Sequence, residues 1–305
     1  MLSHEKSACV GKVFSGISQS VRTTGQQEAD LEGKEGDRRL SKAIVEEALT
    51  CLSAEVANLR DIAVNRVCLG WGYVGVQLTT DDVGLCHSLM GEMQPECCQV
   101  VQQAGTLSGS PATELAERAK SWDTGERVIG VATINALSQI VLRREHDGYT
   151  VTEGNVLEQV DIRPTDKVAM VGNIKPLVPG IRNKASSLRI FERGGLLGEG
   201  ILPDTAGEEL IPEADIVFIT GSAIANGTVG RLLQLSENAR SVVLVGPTAS
   251  MIPSPLFKRG VDLIGGVIVT EPDRAMQIVA EGGGTPQLKA ATKFVLIKPR
   301  PGLGR

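Results

Sequence analysis

A chain of 305 residues is long enough for about two domains with substantial cores. Its formal charge of −5, from 31 basic and 36 acidic residues, argues against general nucleic-acid binding, and an aromatic content of 3% leaves few platforms for stacking bases. No apolar run reaches the roughly 18 residues needed to cross a bilayer, and Met1 to Gly25 lacks the continuous apolar stretch of a secretory signal.

Residues 1–38, with Glu28, Asp30, Glu32, Glu35 and Asp37, read as a disordered extension, and the compartment as cytoplasm. The six cysteines, at 9, 51, 68, 86, 97 and 98, all lie in the first third, which is not the even spacing of a disulfide scaffold. From Arg39 to Leu59, apolar residues at Leu40, Ile44, Val45, Ala48 and Leu52 predict an amphipathic helix. Arg66–Gly70 and Tyr73–Leu78 read as two strands of a hairpin, joined at Gly70-Trp71-Gly72. A loop is expected from Thr79 to about Gly109, carrying Cys86, His87, Cys97 and Cys98. Pro111 then opens a helix over Ala112–Trp122.

The next predicted helix, Glu126 to about Arg143, is apolar nearly all round and therefore buried. Asn135, Ser138 and Gln139 nevertheless share one face, and buried polar side chains need partners. Either they tie the helix to neighbouring backbone, or the stripe faces a cleft and touches ligand. His146–Gly154 reads as a boundary, giving a cap over 39–150 and a second domain over 151–305.

Beyond it strand and helix patterns alternate, as in a doubly wound Rossmann-like sheet. Strands are expected at Val168–Val171, Ser187–Phe191, Asp215–Thr220, Ser241–Val245, Val261–Ile264 and Phe294–Ile297, with helical segments at Gly230–Gln234 and Arg274–Ala280 between some of them. The first strand ends in Gly172-Asn173, the third in Thr220-Gly221 and on to Asn226 and Thr228, and the fourth in a loop containing Thr248. The carboxyl ends of neighbouring parallel strands converge on one crevice, so these residues are candidate ligand contacts. Glu192 closes the second strand about 20 residues after Gly172, where an acid accepts hydrogen bonds from ribose hydroxyls, or stands simply exposed. Lys175, in the first turn, is placed either to meet an anionic group or to sit in solvent. Glu192 and Lys175 are the catalytic candidates, with Asn135, Ser138, Gly172, Asn173, Thr220, Gly221, Asn226, Thr228 and Thr248 as ligand contacts. Gly172-Asn-Ile-Lys-Pro-Leu does not match G-x-G-x-x-G, which disfavours NAD and leaves a nucleoside-like or pterin-like ligand. Cys86, His87, Cys97 and Cys98 are metal-ligand types, but their spacing matches no structural zinc pattern. All three histidines, 4, 87 and 146, precede the sheet domain, which excludes a visible Ser-His-Asp triad.

Several motifs in fixed order resemble one family. They are Gly130-Val-Ala-Thr-Ile-Asn-Ala-Leu-Ser138, Met170-Val-Gly-Asn-Ile-Lys-Pro-Leu-Val178, Phe191-Glu-Arg193, Ile219–Thr228, Leu244–Pro253 and Glu281-Gly-Gly-Gly284. Over roughly residues 40 to 298 the chain is similar to the "putative heavy-metal chelation" family, formerly a domain of unknown function. The resemblance implies an enolase-N-terminal-like domain followed by a Rossmann-like domain, with an active site at their junction. It implies condensation, hydrolysis or methyltransferase-like group transfer in making flavins, pterins or chelators. The alternative is a non-catalytic protein that binds a heavy metal or metal complex. A small-molecule partner is expected, neither nucleic acid nor membrane is, and homo-oligomers remain open.

Overall fold

The computed structural model describes residues 24–93, 101, 103–194 and 200–300, with side chains from residue 39 onward. Residues 1–36 and 37–305 form two units; of the first, only the helical backbone from Thr24 is described. Cys97 and Cys98 lie outside the described residues, as do residues 1–23 of the expected extension over 1–38; from Thr24 the backbone is helical where disorder is expected.

Helix α1 spans Thr24–Glu55, starting earlier and ending sooner than the periodicity suggests. Its core face buries Ile44, Val45, Ala48 and Leu52, as the spacing of these residues requires. Glu47, on the same helix, forms a two-pronged ion pair with the Arg259 guanidinium. Three antiparallel strands follow in the order β1 (Val64–Leu69), β2 (Tyr73–Leu78) and β3 (Val83–His87). The β1–β2 hairpin is as expected, but β3 occupies part of the expected loop. A strand with glycine at its second position and almost no polar residue shows little alternation. Gly84 is there for another reason: a Cβ would lie 2.0 Å from the Ala132 carbonyl oxygen and 2.1 Å from the Ala136 nitrogen. Helix α2 (Ala112–Glu117) ends in a tighter turn, and helix α3 (Thr124–Leu142) begins where the Asp123 carboxylate accepts the Glu126 N–H at 2.8 Å. The Gly84 contact sets α3 directly against β3.

The large sheet contains β4 (Tyr149–Glu153), β5 (Lys167–Val171), β6 (Ser187–Glu192), β7 (Ile201–Pro203), β8 (Ile216–Thr220), β9 (Ser241–Val245), β10 (Leu263–Val269) and β11 (Thr292–Pro299). Their spatial order is β4-β11-β10-β9-β8-β5-β6-β7, with β4 and β11 antiparallel at one edge. The six parallel strands, counted from β5, lie in the order 3-2-1-4-5-6 of a doubly wound sheet. The direction of winding reverses between β5 and β8. Both faces are covered: Ala169, Val217 and Ile219 join one core with α1 and α3, while Val168, Met170, Ile216 and Phe218 form another on the opposite face.

Within the large sheet three segments differ from expectation. The supposed boundary contains β4, which pairs with β11. The three-residue β7 is too short to produce a pattern. Strand β10 runs through Gly265-Gly266 instead of stopping there; the glycine at 266 makes room for Ser250, whose hydroxyl would lie 2.9 Å from a Cβ.

Two outcomes follow from this architecture. Gly84→Ala will lower stability in urea unfolding by at least the roughly 1–3 kcal/mol of an overpacked core, because backbone atoms block the methyl group. Gly91→Ala, with nothing within 4 Å, is the neutral control. The hydrogen bond from Arg259 holds the Glu47 carboxyl below its usual 4.5. Its contribution is therefore present above that value and is lost as pH falls through the lowered one. Thermal melts of Glu47→Gln and the parent will differ at pH 7, by about 0.5–1 kcal/mol for such a solvent-screened pair, and converge in acid.

Candidate functional site

The carboxyl ends of β5 and β8 meet at the point where the winding reverses. Gly172 follows β5 with φ of 81°, in the left-handed region, and a Cβ there would press on Thr220 at 2.8 Å. The first turn and the end of β8 are thus in contact. The Thr220 and Ser222 hydroxyls lie 3.2 Å apart, and Gly221 approaches so closely that a Cβ would lie 2.6 Å from the Ala249 nitrogen. Glu192, half-buried at the end of β6, turns back over the first turn. Its Oε2 accepts the Asn173 N–H at 2.7 Å and its Oε1 accepts the Arg193 N–H at 3.1 Å. The structure therefore brings Gly172, Asn173, Glu192, Thr220 and Gly221 together, as the strand-end pattern predicts. Lys175 stands exposed in the same turn.

The α3 stripe is different. Asn135 and Ser138 are fully buried and engaged with backbone, so the ligand contact expected of them is corrected to a structural tie. Asn135 Nδ2 donates to the carbonyls of Leu85 on β3, at 2.8 Å, and Thr248, at 3.0 Å. Ser138 Oγ donates to Ile134 and accepts from the Ile252 N–H at 2.8 Å. Gln139 bridges Val267 and Val269 of β10 through both ends of its amide. Burial without an amide partner would leave these main-chain groups unsatisfied, which is why the stripe is polar. Within the stripe Asn135 Oδ1 is buried with no partner among the described residues, as the Tyr149 hydroxyl is elsewhere.

Thr248 is also a joint. Its hydroxyl accepts the His87 N–H at 2.9 Å, and the residue is buried. Asn226 Oδ1 accepts from both the Thr228 N–H and its hydroxyl, shaping the turn into the helix Val229–Leu235. That turn is also fastened to α1, where Ser41 Oγ donates to Gly227 and accepts from Gly230.

His87 is brought to the crevice by β3, which the sequence shows only weakly. Its ring sits edge-on to Tyr73, with centroids 5.8 Å apart, and its Nδ1 accepts the Leu89 N–H at 3.3 Å. Burial lowers its pKa, while the Glu92 and Glu192 carboxylates oppose that shift. Glu92 reaches Arg193 at 2.6 Å, and Arg193 also binds Asp204 at 2.8 Å, so an ion-pair chain links the segment after β3 to the ends of β6 and β7. Cys86 lies in the core, not in a loop, and burial pushes its thiol well above the usual range. A protonated thiol is the wrong form for metal ligation. Among the described residues no three His, Cys, Asp or Glu side chains gather as a metal set. No helix among them is long and apolar enough to cross a membrane. Two surface hollows of about 590 and 610 Å³ lie elsewhere, one beside Asn65, Arg66 and Leu107, the other beside Leu157, Ile162 and Lys184.

Two family models, both described as "Putative heavy-metal chelation", match this chain, one (DUF4213) over residues 52–138 and the other (DUF364) over 155–298. An uncharacterized protein of Methanocaldococcus jannaschii is 36% identical over 183 residues, which are 59% of this chain and 69% of that protein. A crystal structure of a DUF364-family protein with unknown function from Pyrococcus horikoshii superimposes with a TM-score of 0.71 at 23% identity, over 85% of this chain and 99% of that one, a likeness of fold. A second, from Desulfitobacterium hafniense DCB-2, gives a TM-score of 0.68 at 28% identity, over 83% and 98%.

Thr248→Val, which removes the acceptor of the His87 N–H, will cost about 1–2 kcal/mol in chemical unfolding, whereas Thr248→Ser will retain the bond and most of that stability.

Proposed function

The chain belongs to the family described as "Putative heavy-metal chelation", and we propose that its crevice over β5, β6 and β8 holds a small polar, nucleoside-like or pterin-like molecule with neighbouring hydroxyls. The observation that carries this reading is Glu192. Two backbone N–H groups fix its carboxylate, and each oxygen keeps a lone pair for a ligand hydroxyl. Gly172 lets Thr220 close against the first turn, the Thr220 and Ser222 hydroxyls orient polar groups, and Lys175 meets an anionic substituent. The helix after β5 starts only at Val178, so no helix N-terminus stands at the turn to receive a pyrophosphate, which favours a smaller ligand than NAD. On this reading residues 39–150 act as the cap and 151–305 as the sheet domain. The reaction is condensation, hydrolysis or group transfer, with Glu192 as the acid/base group.

The family description favours a second reading, a metal bound directly by the protein, for which Glu192 and His87 are the described donors at the crevice. Elemental analysis of protein purified without added metal separates the two. Stoichiometric metal that disappears in Glu192→Gln supports the second reading.

Calorimetry with adenosine and neopterin tests the first. Glu192→Ala will weaken binding roughly tenfold to a hundredfold, the size of hydrogen bonds to a charged group, with the fold intact. Unchanged affinity in that variant would remove Glu192 from the site.

A further inference from the structure

His87 ends β3 with its backbone fastened and its ring, which keeps an exposed side, touched at two places. Its own N–H is bound by Thr248, Tyr73 stands edge-on, and the next residue, Ser88, donates its N–H to Gly72 at 3.1 Å and its hydroxyl to the Trp71 carbonyl at 2.6 Å. Leu89 then adopts φ of 54°, a left-handed conformation that a residue with a Cβ rarely takes. The turn so formed aims the Leu89 N–H at His87 Nδ1.

We propose that this turn locks His87 as the Nε2–H tautomer, so that it serves the crevice as a hydrogen-bond donor, selecting ligands with a ring nitrogen or carbonyl acceptor, and not as a metal ligand. A ring nitrogen that accepts an N–H carries a lone pair and no proton, which places the proton of a neutral imidazole on Nε2. To bind a metal through Nε2, the ring must move that proton to Nδ1, where it would meet the Leu89 N–H donor to donor. Metal-bound histidines make the opposite arrangement, with the distal N–H facing an acceptor. Binding a metal through Nδ1 would displace the Leu89 bond and undo the turn. Partial desolvation disfavours the charged ring although one side of the residue stays exposed. With Glu192 accepting hydroxyls and His87 donating, the crevice recognises a molecule with both an acceptor edge and neighbouring hydroxyls.

The ligand part of this inference rests on the binding reading above; the tautomer does not. Long-range proton–nitrogen spectra of the full chain at pH 7.5, with His87 assigned against His87→Gln, will show a protonated Nε2 and an unprotonated Nδ1. One equivalent of zinc will leave both nitrogens unmoved. A protonated Nδ1, or a zinc-dependent shift of either nitrogen, overturns the proposal. In adenosine titrations His87→Leu will lose roughly tenfold in affinity, about one neutral hydrogen bond, while His87→Gln, whose amide N–H reaches a similar position, will keep most of it. Full affinity in His87→Leu together with a loss in Glu192→Ala overturns this inference and leaves the binding reading standing. If the parent chain binds no adenosine, the binding reading fails for that ligand, and the tautomer and zinc results alone decide for or against His87.

Discussion

The arrangement depends on one set of contacts: the side chains of Asn135, Ser138 and Gln139, on a single face of α3, each bonded to main-chain atoms of other segments. A helix otherwise sheathed in Val, Ile, Leu and Ala could slide or rotate within an apolar core at little cost. Three amides and hydroxyls with fixed partners remove that freedom, because any displacement would leave buried donors and acceptors unpaired. The same contacts hold β3, the loop after β9 and strand β10 at set positions. Gly84 adds a steric limit, since α3 and β3 approach each other too closely to admit even a methyl group.

From this joint the crevice inherits its shape. The doubly wound order puts Gly172 and Thr220 side by side where the winding reverses, and any chain with that topology would open a groove there. What is particular to this chain is what stands over the groove. β3 delivers His87, Thr248 holds it, and the Glu92–Arg193–Asp204 chain links the segment after β3 to the far strands. Glu192 has a double role: it closes the first turn by accepting the Asn173 N–H, and it keeps acceptor capacity facing outward.

Much of this was legible in the residues, for reasons that can be named. Strands β5, β8 and β9 are short apolar runs ended by Gly or Thr, and burial on both faces produces that composition, while β6 shows it only at Ile190-Phe191 before Glu192. The strand-end cluster followed from topology, because parallel strands present their carboxyl ends together. The stripe on α3 was visible as a pattern but ambiguous in purpose, since a helix periodicity reveals which residues share a face and not what the face meets. β3, β7 and the second half of β10 escaped because glycines and brevity erase alternation, and the glycines answer to neighbours distant in sequence, Ala132 and Ser250 among them. Adjacency groups His87 with Cys86 as metal-ligand types in the sequence; in the strand the two face opposite sides, Cys86 buried and His87 exposed.

Every partner of the α3 stripe belongs to the main chain, and main-chain groups are present whatever amino acid occupies the position. The strands and loops that α3 holds can therefore exchange their side chains through divergence while the fastening persists, provided the helix keeps its three polar residues. Mutational tolerance should be lopsided across this seam, strict on the helix and more permissive on the segments it grips, apart from Gly84 and Thr248, whose own contacts fix them.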